Sequence, residues 1–118
     1  ILIFKDTLKS NLVKITKTIE LEEKLYPVVT VDIQEKVLMQ AFLNSEALSK
    51  TFETGLASYF SRSRNSLWLK GETSSATQEI REVFYDFENN FFVYKVKQNL
   101  AACHEGYYSC FFRKIENG

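Results

Sequence analysis

Beyond Tyr26 the apolar residues of this chain come in short runs, and only one segment carries the start and stop signals of a helix. That pattern confines the fold to a sheet of short strands with a single helix packed on it. Tyr26 to Val31 is mostly β-branched or aromatic, Lys36 to Leu43 is a second apolar stretch, and Asp32 to Glu35 between them reads as the turn of a hairpin. Asn44 supplies an N-cap, Glu46 places a negative charge in the first turn, and Leu43 and Leu48 are spaced as a hydrophobic staple. The helix that follows should turn Ala47, Leu48, Thr51 and Phe52 to the core, set Lys50 against its C-terminal dipole, and stop at Gly55. Short strands are then expected at 57–61, 67–69, 80–87, 91–97 and 109–113, with Glu88-Asn89-Asn90 as a tight turn, because Asn tolerates positive φ. The fold class is α+β, mainly antiparallel β-sheet with one central helix.

Ten Phe and six Tyr in 118 residues suit such a β-rich core. The chain has no repeats or linkers, so it reads as one domain over residues 25–118 with an N-terminal extension over 1–24. In the extension, Leu8, Leu12, Ile15, Ile19 and Leu21 fall near helical spacing and predict a helix. Fifteen Lys and Arg balance fifteen Asp and Glu. A net charge of zero argues against nucleic acid as a partner. No apolar run approaches the eighteen or so residues of a membrane span, and Ile1 to Phe4 is too short for a signal-peptide core, so the expectation is a cytoplasmic protein with no membrane partner.

Three constellations could carry chemistry. The only two cysteines and the only histidine, Cys103, His104 and Cys110, lie within eight residues of one another. Thiolates at this spacing can close on zinc if the chain turns back at Gly106, whereas the alternatives are buried thiols or, in an exported protein, a disulfide. The second is Ser61-Arg62-Ser63-Arg64, followed by Trp68, Lys70 and Gly71. Guanidinium forks, hydroxyls and an ammonium near a glycine form a phosphate site; the alternative is a charged, solvated strand edge. The third is Asp86, Glu88 and Asn90, whose spacing by two would put oxygen ligands for Mg²⁺ on one side of a strand, or else make an acidic surface turn.

Taken in order, these segments resemble the phosphoribosyl-AMP cyclohydrolase family of histidine biosynthesis. The resemblance runs from about Leu25 to Arg113. It is carried by Glu35-Lys36-Val37-Leu38-Met39, Asn44 with Glu46-Ala47-Leu48, Thr54-Gly55, Ser61-Arg62-Ser63-Arg64, Leu67-Trp68, Lys70-Gly71-Glu72-Thr73-Ser74, Ala102-Cys103-His104, Gly106 and Ser109-Cys110-Phe111. The resemblance implies an intertwined homodimer with active sites between subunits and a small-molecule nucleotide substrate, N1-phosphoribosyl-AMP, whose adenine ring is opened by hydrolysis. Zinc is held in that family by three cysteines, one from an Asp-Cys-Asp-x-Asp segment whose aspartates bind magnesium. Carried over by position, Cys103 and Cys110 become zinc ligands, His104 the catalytic proton carrier, Asp86, Glu88 and Asn90 the magnesium ligands. Ser61, Arg62, Ser63, Arg64, Trp68, Lys70 and Gly71 become the substrate contacts.

The chain departs from the family at that metal segment, which here reads Asp86-Phe87-Glu88-Asn89-Asn90. Phenylalanine cannot ligate, and every copy in a homodimer carries Phe87. Ser75-Ala76 stands where the family commonly has Gly-His, and Tyr107-Tyr108 where it often has a basic pair. The alternative expectation is therefore a catalytically impaired member that acts as a nucleotide- or phosphate-binding dimer.

Overall fold

The computed structural model describes residues 2–7, 14–19, 21–86, 88–99 and 108–117, the first two segments as backbone. The mixture of strands with a single helix among these residues bears out the α+β reading. Strands β1 (Leu2–Thr7) and β2 (Lys14–Ile19) pair antiparallel as a two-stranded sheet. The helix expected in the extension is therefore wrong at Ile15 and Ile19, while Leu8 and Leu12 lie outside the described residues. The β-branched residues around Thr16 and Thr18 favour the extended chain.

The main sheet has four strands: β3 (Tyr26–Asp32), β4 (Val37–Leu43), β7 (Gln78–Asp86) and β8 (Phe91–Gln98), in the order β4-β3-β8-β7. All neighbours are antiparallel except β3 and β8, which run parallel with Val28 opposite Phe92. Central strands alternate strictly: Tyr26 and Val28 on β3, and Phe92, Tyr94 and Val96 on β8, are buried. Burying each such side chain contributes roughly 1.5–3 kcal/mol. Helix α1 (Ser45–Thr54) covers this face with Ala47, Leu48 and Thr51. A second, two-stranded sheet, β5 (Ser58–Ser61) with β6 (Ser66–Leu69), adds Tyr59 to the same core.

The helix caps form as the sequence requires. The Asn44 side chain accepts the Ala47 N–H at 2.8 Å, Leu43 and Leu48 are both buried, and Gly55 takes φ +75° while its N–H donates to the Thr51 carbonyl. Two details differ. Phe52 is 53% exposed, because at about 100° per residue it lies roughly a right angle from the centre of the arc formed by Ala47, Leu48 and Thr51. The last turn carries no basic residue, and Lys50 instead approaches Glu53 at 4.0 Å.

The strand expected at 109–113 is not one. The Cys110 N–H to the Leu38 carbonyl and the Ser109 hydroxyl to the Val37 and Leu38 carbonyls join it to β4, and the Phe111 N–H turns back to the Ser109 hydroxyl. That is a side-chain clip rather than a ladder.

Candidate functional site

The β5–β6 hairpin carries the first set of candidates in its turn. Ser61 pairs with Ser66, and the Arg64 N–H donates to the Ser61 hydroxyl at 3.2 Å, so the backbone is tied while the guanidinium groups stay outside the tie. Asn65 closes the turn at φ +49°. Arg62 lies over the Phe42 ring, 4.0 Å from its centroid. Beside it opens a groove of about 580 Å³ lined by Phe42, Phe60, Ser61, Arg62, Ser63 and Trp68, together with Gln40 and Ala41. An aromatic wall with a guanidinium and two hydroxyls at its rim can hold a planar base and accept an anion.

The other members of that set sit elsewhere. Lys70 and Gly71 follow β6, and the Lys70 N–H donates to the Ala57 carbonyl at the opposite end of the hairpin from Arg62. Five residue steps, from Ala57 to Arg62, separate the two ends by about 16 Å. Lys70 is 7% exposed. Gly71 is obligatory, since at φ +85° an added Cβ would meet the Ala76 carbonyl carbon at 2.3 Å. The Trp68 ring also stacks against Tyr59 at 5.1 Å, so it serves the core as well as the groove.

The β7–β8 turn holds the oxygen-rich set, and here the side chains satisfy one another. One Asp86 oxygen accepts the N–H groups of Glu88 and Asn89, the other accepts the Asn89 carboxamide at 2.7 Å, and the Asn90 side-chain Oδ1 accepts the Tyr85 hydroxyl. The Asn89 carboxamide above all, together with the two backbone donors, holds the Asp86 carboxyl below its ordinary value against the opposing effect of burial. Asn90 is left-handed at φ +52°, as its place in the turn predicted. That same curl breaks the strand alternation that would have put Asp86, Glu88 and Asn90 on one side. Among the described residues no three His, Cys, Asp or Glu side chains converge where a metal could bind.

Of the soft donors, Cys110 alone is described; Cys103, His104, Gly106 and Tyr107 lie outside the described residues, as does Phe87. Cys110 is an exposed residue. The clip onto β4 fixes its backbone, and the neighbouring Tyr108 hydroxyl donates to Asp32 at 2.8 Å. Asp32 also accepts the N–H groups of Gln34 and Lys36, which shapes the β3–β4 turn.

Sequence reading missed a buried polar line through the core. Because the single Tyr59 proton goes to the Gln78 carboxamide oxygen at 2.5 Å, the Thr30 hydroxyl must donate to Tyr59. The Gln78 amide donates in turn to the Gln98 oxygen at 2.8 Å. The visible signal was a pair of glutamines at the outer ends of two neighbouring strands, and they prove to be register partners.

The sequence pattern of the phosphoribosyl-AMP cyclohydrolase family matches residues 39–112. A phosphoribosyl-AMP cyclohydrolase of Leptospira interrogans is 52% identical over 86% of this chain, and one of Methanobrevibacter smithii is 60% identical over 68% of it. The chain spans only 57% and 61% of those two proteins, but 89% of the Archaeoglobus fulgidus enzyme of the same name, at 49% identity over 80% of the chain. The matched pattern spans the β5–β6 turn, the Lys70–Gly71 loop and Cys110. The chain belongs to the phosphoribosyl-AMP cyclohydrolase family.

Proposed function

We propose that this protein hydrolyses the adenine ring of N1-phosphoribosyl-AMP in histidine biosynthesis. The observation that carries the reading is 52% identity, across 86% of the chain, to a relative named for that reaction. The Arg62–Trp68 groove supports it, offering an aromatic wall for a base and charged donors for a phosphate. Arg62 and Arg64 at one end of the hairpin and Lys70 at the other suit a ligand that carries two phosphates rather than one. Ser61 and Ser63 orient the nearer of them, and Gly71 lets the Lys70 loop fold tightly. His104 carries the proton to the leaving ring nitrogen.

The two thiols and one imidazole fit zinc in kind, since Cys and His donors are its usual set, although Phe87 removes the third thiolate of the family. Cys103 and Cys110 would hold the ion, and bound zinc supplies hydroxide near neutral pH. The Asp86–Asn90 turn does not fit magnesium as arranged, because the side-chain oxygens of Asp86 and Asn90 already accept internal hydrogen bonds and no three acidic, His or Cys side chains converge there among the described residues. The proposed reaction uses no cation there.

We further place the protein in the cytoplasm as a homodimer. The outer face of the main sheet supports the dimer: Val29, Val93 and Phe84 lie in one row across β3, β8 and β7, and Phe84 is 50% exposed. No helix among the described residues is long and apolar enough to cross a membrane.

The test is to supply N1-phosphoribosyl-AMP to zinc-loaded protein and follow ring opening by ultraviolet absorbance. Turnover is expected. Saturable nucleotide binding without turnover would support the impaired-binder reading instead, and absence of both would end the assignment to this substrate.

A further inference from the structure

We propose that Gln98 is a positioning residue that locks the loop after β6 against the point where the chain leaves β8. The proposal rests on the reading above, in which that loop carries Lys70 and the segment beyond Asn99 carries Cys103 and His104.

The loop itself is closed locally. Its Ser75 N–H donates to the Gly71 carbonyl at 2.8 Å, the Ala76 N–H to the Ser74 hydroxyl, and Gly71 abuts the Ala76 backbone so closely that no side chain fits. Nothing in those contacts fixes the loop to the rest of the fold. The Lys70 N–H anchors its start to the Ala57 carbonyl, and its far end is attached at residues 76–79. The Gln98 carboxamide nitrogen reaches the carbonyls of Ala76, Thr77 and Asn99 at 3.3, 3.5 and 2.9 Å, while its oxygen accepts the Gln78 amide. Asn99 reinforces the joint: its backbone N–H donates to the Thr77 carbonyl, and its side chain to the Thr77 hydroxyl and a Glu79 oxygen.

The joint is also rigid on its inner side. Gln98 is the terminus of the line from Thr30 through Tyr59 and Gln78, in which every donor and acceptor has one assigned direction. Burial pushes the Tyr59 hydroxyl far above its ordinary pKa despite the Thr30 contact, so it stays a neutral donor and the direction does not reverse with pH. Such a network holds one arrangement because turning any member strands a buried polar group. Gln98 thus transmits the position of the core to two segments that the proposed reaction needs in register.

Gln98→Met keeps the side-chain length and removes every one of these bonds. Amide hydrogen exchange is measured on the whole chain, with kcat and KM on the same preparation below its melting temperature. The expected result is faster exchange at Ser75 and Asn99 together, by roughly tenfold, with Val28 and Phe92 unchanged. Alongside it kcat should fall by about a hundredfold, the scale of a small misplacement of reacting groups, with KM little changed. A uniform rise in exchange along β7 and β8, or no rise at Ser75, overturns the proposal, since a merely structural side chain behaves that way. If wild-type protein shows no ring opening, the exchange result still decides the joint, while the functional reading fails separately. Should Gln98→Met not fold, Thr77→Val removes only the Asn99 side-chain contact to the Thr77 hydroxyl. It should speed exchange at Asn99 and Ser75 to a smaller, matched degree, and unmatched or absent change overturns the proposal equally.

Discussion

Two hairpin turns drew attention in the sequence, and the structure puts their polar groups to opposite uses. In the β5–β6 turn the backbone is closed by Ser61, and among the described residues neither Arg62 nor Arg64 has a carboxylate partner within ion-pair distance. Among those residues Arg62 meets only the face of the Phe42 ring, and no carboxylate neutralises either guanidinium. In the β7–β8 turn the closing group is Asp86, and it uses both of its oxygens to do the closing. A serine can cap a turn and leave neighbouring cations available, whereas a carboxylate that caps its own turn is no longer a vacant ligand. The same composition of charged and polar residues therefore leaves cations without a carboxylate partner among the described residues in one turn and makes a self-satisfied cap in the other.

The sharpest way to break the comparison is to remove the cations. Arg62→Ala combined with Arg64→Ala deletes two charge-assisted contacts, each worth roughly 1.5–3 kcal/mol when a phosphate is bound. Nucleotide affinity should fall by a hundredfold or more by calorimetry, with the thermal midpoint little changed, because among the described residues neither guanidinium pairs with a carboxylate and the Arg62 contact with Phe42 is worth only about 0.5–1 kcal/mol. An unchanged affinity would return the β5–β6 turn to the status of a solvated strand edge.

Much of this could be read beforehand, and the reasons for the failures are physical. Asn44, Leu43, Leu48 and Gly55 specified the helix because each acts on its immediate neighbours. The parallel pairing of β3 with β8 was not legible, since it joins residues more than sixty positions apart and no local signal encodes it. The Ser61–Arg64 cluster was legible as chemistry, but the burial of Lys70 at the far end of the hairpin depends on the register of β5 with β6. At Asp86 the alternation argument failed because Asn90 adopts positive φ, the very property that marked it as a turn residue.

A second test adds a ligand where the chain lacks one. Phe87→Cys restores a thiol beside Asp86. If the two remaining cysteines already hold zinc, the additional thiolate should raise affinity by about a hundredfold, since structural zinc sites distribute roughly 10–16 kcal/mol over their ligands. Competition against a chelator of known affinity measures it. Magnesium titrated into the unaltered protein should leave the Glu88 and Asn89 amide resonances in place. A saturable shift there would show that the turn opens for a cation and that the contrast between the two hairpins is false.

The smallest effect separates two aspartates that cap turns in the same way. Burial pushes the Asp32 carboxyl up, but the Lys36 N–H, the Tyr108 hydroxyl and the Gln34 N–H outweigh it and hold the group below its ordinary value. Asp86 is lowered mainly by the Asn89 carboxamide, without help from any distant residue. For a depressed carboxyl the stabilising contribution is complete above the unfolded value near 4 and disappears as pH falls through the lower folded value. Tyr108→Phe removes one donor from Asp32 alone, so its titration should move up toward 4 and its contribution should begin to fade at higher pH, with Asp86 unmoved. Carboxyl carbon resonances followed between pH 6 and about 2 report both groups in one experiment. Asp32 must shift while Asp86 does not, because the tyrosine that distinguishes them enters from 76 residues away and closes the segment bearing Cys110 onto β4. Equal shifts at both positions would mean that Tyr108 acts through the whole fold, and the β3–β4 turn would then be as self-contained as the β7–β8 turn.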